Sequence, residues 1–235
     1  MVLLSAQGQA PGAPEALSEI CRIYWYPLYG FVRRRGHTPE EAQDLTQGFF
    51  LDLLERKALA RADPLKGKFR AFLLGSLQHY LSTEAARARC LKRGGQVEFV
   101  YLDAEAAEDH MRLEPVDALT PEKVFDARWA IALLGEAMHR LHEEYAAQGK
   151  AATFDALKAF LDVGNGQELP AYEDAAKALR VSVGAGKTLI HRLRKRYTAL
   201  VREEVARTVS DVVDIDAELH ELCEALVATE GWITS

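Results

Sequence analysis

Apolar residues recur at steps of three and four along most of this chain, which is the periodicity of helices with one buried face. The first such stretch covers residues 15–35. Its apolar residues fall on one side of the predicted helix: Leu17, Ile20, Tyr24, Leu28, Phe31 and Val32. Pro27 is expected to bend or split this helix, and Gly36 is expected to end it.

A second helix is predicted over residues 40–57, after the string Thr38-Pro39-Glu40-Glu41. This string offers a capping side chain, a proline at the first helical position and acids in the first turn. The pattern assigns a buried face to Ala42, Leu45, Phe49 and Leu53. It assigns an outer face to Asp44, Gln47, Gly48, Leu51 and Glu55. A third helix is predicted over residues 69–93, before Gly94-Gly95.

The remaining helical patterns cover residues 125–148, 154–161, 172–201 and 216–227, and few segments alternate as strands do. The fold class is therefore predicted to be all-α, with two small helical domains joined by an acidic linker. The predicted divisions are a loosely ordered arm (1–14), a first domain (15–95), the linker (96–124), a second domain (125–202) and an acidic tail (203–235). The linker holds eight acids and two basic residues, and the tail holds nine acids and one arginine.

Charge is distributed unevenly in this acidic chain, whose net charge is −6 over 235 residues. Two predicted helices carry concentrated positive charge, which suggests two contacts with a polyanion. The three cysteines form no close pair, which favours a reducing, cytoplasmic compartment. No signal peptide and no run long enough to span a membrane are recognised in the sequence.

The second basic segment, residues 172–197, has the pattern of a helix-turn-helix. Its turn is Arg180-Val181-Ser182, in which Ser182 can cap the following helix, and no acid occurs between residues 181 and 202. The residues expected to contact DNA are Ser182, Lys187, Thr188, His191, Arg192 and Lys195. The alternative interpretation is a solvated basic helix with no ligand.

The first basic segment ends the third helix, where charge follows the aromatic residues Phe69, Phe72 and Tyr80. Basic side chains can hold the phosphates of an opened DNA strand while rings stack on its bases. The DNA contacts expected here are His79, Thr83, Arg87, Arg89, Lys92 and Arg93. The alternative is that the aromatic residues are core, and for Phe69 and Phe72 the core interpretation is favoured.

No arrangement of residues in this sequence indicates catalysis. The string "GAGKT" at 184–188 lacks the earlier glycine of a phosphate-binding loop, because Val181 occupies that position, and a helix rather than a strand is predicted before it. The histidines show no metal-ligand spacing. We therefore predict a protein that is not an enzyme, with no cofactor and no metal.

The chain resembles the bacterial RNA polymerase sigma factors of the extracytoplasmic-function type, and among them a branch described from planctomycetes. Residues 20–81 are similar to region 2 of that branch, and residues 125–134, 172–182 and 190–209 are similar to its region 4. The string Asp44-Leu45-Thr46-Gln47 is the most specific element of the resemblance.

The resemblance implies that the chain directs core RNA polymerase to promoters. Its polymerase contacts would be Asp44, Gln47, Leu51 and Glu55. The third helix would bind the melted minus-ten strand, and the helix-turn-helix would bind the minus-thirty-five element as duplex DNA. The implied partners are core RNA polymerase and promoter DNA, with an anti-sigma factor as a further candidate.

Several residues depart from the family pattern. Arg180 stands where a glycine with positive φ is usual, Gly186 replaces a Val-like core residue, and Gly48 replaces an acid. Thr83, Ala85 and Ala86 replace larger or more polar residues. Two alternatives therefore stay open: a helix-turn-helix regulator that acts without polymerase, and an interaction protein derived from a sigma factor.

The acidic tail allows two hypotheses. Nine acids follow directly on the basic helix, so the tail is a candidate restraint that screens the recognition helix until polymerase binds. Alternatively, its helix at residues 216–227 completes the core of the second domain.

Overall fold

Every secondary-structure element in the described part of the chain is helical, which confirms the all-α prediction. The structure is a computed structural model that describes residues 13–55, 68–90, 119–161, 170–209 and 211–227. Eight α-helices lie in these ranges: α1 (Ala13–Arg34), α2 (Pro39–Glu55), α3 (Phe69–Cys90), α4 (Pro121–Ala147), α5 (Ala151–Leu157), α6 (Tyr172–Ala178), α7 (Val183–Thr208) and α8 (Ile215–Val227). Short 3₁₀ turns, Lys158–Phe160 and Val212–Asp214, follow α5 and precede α8.

Helix α1 is continuous, so of the two outcomes predicted for Pro27, a split of the helix is excluded. Pro27 is buried among core residues, and we attribute the continuity of the helix to this packing, which offsets the missing backbone hydrogen bond. Gly36 ends the helical turn as predicted, with a φ of +92° that favours glycine. The helix begins at Ala13, so the last two residues of the predicted arm are helical, and the rest of the arm lies outside the described residues.

Helix α4 begins within the segment predicted as linker. Thr120 caps it, because its hydroxyl oxygen accepts a hydrogen bond from the Lys123 amide, and Pro121 occupies the first turn. A proline costs little there, since the first amides of a helix have no partner within the helix. The prediction that the linker extends to Val124 is therefore wrong at its end, and residues 96–118 lie outside the described ranges.

Helices α1 and α4 pack along each other in the most extensive helix contact of the described structure. The Arg128 side chain lies within this contact, only 1% exposed, with its guanidinium 4.6 Å from the centre of the Tyr26 ring. The guanidinium lies directly against Gly30, where an added Cβ would come within 1.4 Å of Arg128 Nη1. One turn before Tyr26 on α1, Arg22 pairs at 2.6 Å with the buried Glu136, which lies about two turns after Arg128 on α4.

The two predicted domains share one hydrophobic core through this contact. Tyr24, Leu28 and Phe31 from α1 belong to the same buried cluster as Trp129 and Leu133 from α4. Helix α2 packs on α1 and α3, α4 contacts α5 and α7, and α6 packs on α5 and α7. Independent folding of either half stays a prediction.

The described part of the acidic tail packs into this core. Helix α8 contacts α4 and α7, and it buries Ile215, Leu222 and Ala225. The basic residues expected to read DNA on α7 remain exposed. The tail helix therefore completes the core, and residues 211–227 do not screen the recognition helix.

We expect Gly30→Ala to destabilise the protein by about 1–3 kcal/mol, because the new methyl group must displace Arg128 or force α1 away from α4. Gly135→Ala on α4 is the matched control, since an added Cβ there meets nothing within 4 Å. This control should gain about 1 kcal/mol of helix stability. Urea unfolding measures both changes, and equal stabilities would contradict the close contact at Gly30.

Candidate nucleic-acid interface

A helix-turn-helix is present where the sequence predicts it. Helix α6 ends with a two-bond C-cap, in which the Val181 amide donates to the Ala176 carbonyl at 3.0 Å and the Arg180 amide donates to the Lys177 carbonyl at 3.2 Å. Arg180 supplies the left-handed residue of this motif, with a φ of +55°. Ser182 then caps α7 by accepting a hydrogen bond from the Ala185 amide at 3.2 Å.

Helix α7 presents the predicted residues on one exposed face, while Ile190 and Leu193 on the other side are buried. The exposed residues are Ser182, Lys187, Thr188, His191, Arg192 and Lys195. Lys187 extends over the Tyr172 ring, with its Nζ 5.1 Å from the ring centre, and this contact limits its freedom. The Thr188 hydroxyl donates to the Gly184 carbonyl at 3.0 Å, which leaves its lone pairs free to accept.

Two further cations of α7, Arg194 and Arg196, bind other parts of the fold and do not belong to this exposed face. Arg194 donates its Nε–H to the Phe160 carbonyl at 3.0 Å. Arg196 pairs with Glu144 of α4 at 2.8 Å and with Glu203 at 2.9 Å. The hydrogen bonds from Arg196 lower the pKa of both carboxyl groups below the usual range. The charge that α7 can offer to a polyanion is therefore smaller than its sequence suggests.

Gly186 is buried where α7 crosses α6. A Cβ added at this position would lie 3.4 Å from the Ala176 Cβ, an ordinary van der Waals contact. The two helices approach closely here because both positions have small side chains. Gly186 therefore lies in a packed helix contact although it lacks the Val-like side chain that the family resemblance leads us to expect.

A second candidate surface is an open groove of about 520 Å³ between α2 and α3. Phe72 and Tyr80 give it aromatic lining, and Asp52, Ser76, His79 and Thr83 give it polar groups. His79 is exposed, and Thr83 is half-buried, with its hydroxyl donating to the His79 carbonyl at 3.0 Å. The sequence gives no signal for Asp52 and Ser76 as groove residues, because only the packing of α2 on α3 brings them beside His79.

Tyr80 fixes the position of α2 against α3. An added Cβ at Gly48 would lie 2.4 Å from the Tyr80 hydroxyl, so any larger residue there would have to displace the Tyr80 ring. Burial raises the pKa of Tyr80 to about 12, and the nearby Glu84 and Asp52 carboxylates add to the shift. The hydroxyl therefore stays protonated near neutral pH.

Of the basic residues predicted at the end of α3, only the Arg87 side chain lies in the described part of the structure. Arg87 is exposed and pairs with Glu84 at 2.7 Å. The side chain of Arg89 and residues Lys92 and Arg93 lie outside the described part of the structure. Among the aromatic residues before them, Phe69 is buried against Tyr24, as the core interpretation predicts, while Phe72 is half-buried in the groove.

The expected polymerase-docking face is on α2, which begins with reciprocal capping bonds between Thr38 and Glu41. Within the string Asp44-Leu45-Thr46-Gln47, Thr46 is fully buried, Leu45 is half-buried and Asp44 is exposed. Gln47 and Leu51 are half-buried, so the face is less open than the sequence predicts. The Glu55 side chain is outside the described part.

No described group of three or more His, Cys, Asp or Glu side chains is placed to hold a metal ion. None of the described helices is both long and apolar enough to cross a membrane.

Comparison with protein-family models, with curated proteins and with solved structures found no significant match. The resemblance to sigma factors therefore rests on the sequence motifs and stays a prediction.

We expect Gly186→Ala to raise stability by about 1 kcal/mol, because the helix gains propensity without a clash. Gly186→Val should lower stability by about 1–3 kcal/mol, since its branched side chain must push α7 away from Ala176. Thermal or urea unfolding of the two variants measures this difference. A Val variant as stable as the Ala variant would contradict the close packing of α6 and α7.

Proposed function

We propose that this chain is a sigma factor of the extracytoplasmic-function type, which brings core RNA polymerase to promoters and stabilises the opened strand. The observation that carries the proposal is the exposed face of α7, the second helix of a capped helix-turn-helix. Five polar and basic side chains lie in solvent on successive turns of this face. Those residues are Lys187, Thr188, His191, Arg192 and Lys195.

The proposed duplex reading follows from the shape of α7. The major groove of DNA is wide enough to admit an α-helix, and it displays a distinct set of donors and acceptors at each base pair. Lys187 and Thr188 lie near the helix start, which is the part of a recognition helix that approaches base edges. Arg192 and Lys195 lie further along, where phosphate contacts set affinity without reading sequence.

The proposed single-strand contact is the groove between α2 and α3. Phe72 and Tyr80 offer ring faces for base stacking, and His79 and Thr83 offer hydrogen-bonding groups beside them. Rings that stack on bases bind a single strand with little dependence on its sequence. The proposed docking on polymerase uses the outer face of α2 around Asp44 and Gln47, which resembles the family's most specific motif.

A second candidate function is a helix-turn-helix regulator that binds operator DNA without polymerase. The shared core of α1 and α4 favours it, because a regulator can bind duplex DNA without separating its two halves. This candidate assigns no role to the groove between α2 and α3. Binding to core polymerase separates the two candidates.

We expect the purified chain to bind core RNA polymerase and to support transcription from a cognate promoter found by selection from random DNA. The variant Asp44→Arg/Gln47→Ala should lose most of this binding while its helicity and melting temperature stay near those of the wild type. The matched control is Asp155→Arg/Gln148→Ala, which changes two exposed residues in α5 and just after α4. If the wild type binds no core polymerase, the sigma-factor proposal is wrong.

We also expect two kinds of effect on duplex binding. Lys195→Glu should weaken binding to all sequences alike, and the salt dependence of the affinity should fall by the amount expected for about one lost phosphate contact. Lys187→Ala should instead change sequence preference. The full chain is the appropriate material, because the isolated second half would expose the α4 surface that α1 covers. If the two variants have identical effects on specific and random DNA, the α7 face does not read bases.

A further inference from the structure

A pair of stacked aromatic rings lies beside the start of helix α7. Phe160, in the 3₁₀ turn after α5, and Tyr172, in the first turn of α6, stack with ring centres 5.6 Å apart and planes 15° apart. Phe160 is 1% exposed, so its ring belongs to the core, while Tyr172 is half-buried at the edge of that core. The Tyr172 ring is therefore held by a buried partner, within reach of the exposed side chains of α7.

Helix α7 contacts this aromatic pair at two points. Arg194 donates its Nε–H to the Phe160 carbonyl at 3.0 Å, and the Lys187 ammonium lies 5.1 Å from the centre of the Tyr172 ring. The two cations are seven positions apart in the sequence, which is two helical turns and roughly 10 Å along the axis, so they lie on nearly the same side of α7. The Tyr172 ring thus has a defined position relative to Lys187.

The position of this ring matters because a lysine side chain is otherwise poorly directed. Lysine carries a compact charge on a flexible four-carbon stem, and it loses much rotamer freedom when it is fixed. The face of a tyrosine ring attracts an ammonium within about 6 Å of its centre. Among the described residues no carboxylate pairs with Lys187, so the Tyr172 ring is the group that sets the direction of its ammonium.

We propose that Tyr172 is a positioning residue for sequence reading, whose ring directs the Lys187 ammonium toward a base edge rather than along the phosphate backbone. This proposal rests on the proposed function, in which the α7 face enters the major groove. An undirected lysine contacts phosphates as readily as bases, and phosphate contacts carry no sequence information. The ring therefore raises the specificity of duplex binding while it leaves the affinity for random DNA nearly unchanged.

Two other roles for Tyr172 make different predictions. One is a direct phosphate contact through the hydroxyl, since the first helix of a helix-turn-helix crosses the DNA backbone. Such a contact depends on the hydroxyl and not on the ring face. The other role is packing alone, in which the ring supports α6 and Lys187 acts independently of it.

The test uses the full-length chain and the variants Tyr172→Phe, Tyr172→Leu, Lys187→Ala and Tyr172→Leu/Lys187→Ala. Tyr145→Leu is the matched control, because Tyr145 is half-buried and packs against Phe154 with ring centres 5.9 Å apart, and no described cation lies over its ring. Affinity is measured for a duplex that the wild type selects from random DNA and for a random duplex of the same length. The NMR shifts of the Lys187 methylene protons measure the ring contact in the free protein.

We expect Tyr172→Leu to weaken binding to the selected duplex about two- to five-fold, the scale of an exposed cation–π contact, with little change on random DNA. Tyr172→Phe should behave as wild type, because it keeps the ring face. In the Lys187→Ala background the Leu substitution should have no further effect, since the ring then has no ammonium to direct. Tyr145→Leu should leave the ratio of the two affinities unchanged.

The Lys187 methylene protons should be shifted upfield in the wild type and in Tyr172→Phe, and this shift should disappear in Tyr172→Leu. If Tyr172→Leu does not fold, Tyr172→Met replaces it, because the flexible methionine side chain fills irregular space in a core.

Equal weakening on both duplexes by Tyr172→Leu, or a further loss in the Lys187→Ala background, would overturn the positioning role and leave packing as the role of the ring. A loss of affinity in Tyr172→Phe would instead assign a phosphate contact to the hydroxyl. Binding by a wild type whose Lys187 protons show no ring shift would refute the positioning role alone. If the wild type binds neither duplex even at low salt, the proposed duplex reading fails, and the positioning role fails with it.

Discussion

The contact between α1 and α4 determines the arrangement of everything else in this structure. It depends on Gly30, which lets the Arg128 guanidinium enter the interface and lie on the Tyr26 ring. A buried cation is costly unless its surroundings compensate for lost water, and the aromatic face supplies part of that compensation. Helix α4 in turn contacts α5 and α7, and α6 packs on those two helices, so this one contact sets where both candidate DNA-binding surfaces lie.

Charge in this protein is used as much for assembly as for a ligand. Arg194 and Arg196 look like part of a basic recognition helix in the sequence, yet they bind Phe160, Glu144 and Glu203 in the fold. Lys68 and Arg70 likewise pair with Glu218 on α8. The remaining exposed cations of α7 are concentrated on one face, which is the distribution that a duplex-binding surface requires.

The positions of the helices follow from the sequence because their causes are local. The caps at Thr38 and Ser182 and the glycine at Gly36 act within one turn of chain, and the apolar period marks each buried face. The cap at Thr120 was missed, because the acidic composition around it favoured a linker. The packing of α1 on α4 has no such local signal, since it joins residues about a hundred positions apart. Asp52 and Ser76 in the groove, and the ion pairs of Glu218 with Lys68 and Arg70, were missed for the same reason: each depends on side chains brought together only by tertiary contacts.

The most direct test of this account measures the distance between α3 and α7 with spin labels at the exposed positions 82 and 198, in a chain whose native cysteines are replaced. In the free protein we expect a narrow distribution below about 40 Å, the width of a compact domain of this size. In a complex with core polymerase and promoter DNA, we expect the distance between the labels to exceed about 60 Å. The reason is that the minus-ten and minus-thirty-five elements of the proposed promoter are separated along the duplex. A broad, long distribution in the free chain would contradict the shared core, and an unchanged short distance in the complex would contradict the proposed recognition of two promoter elements by this chain.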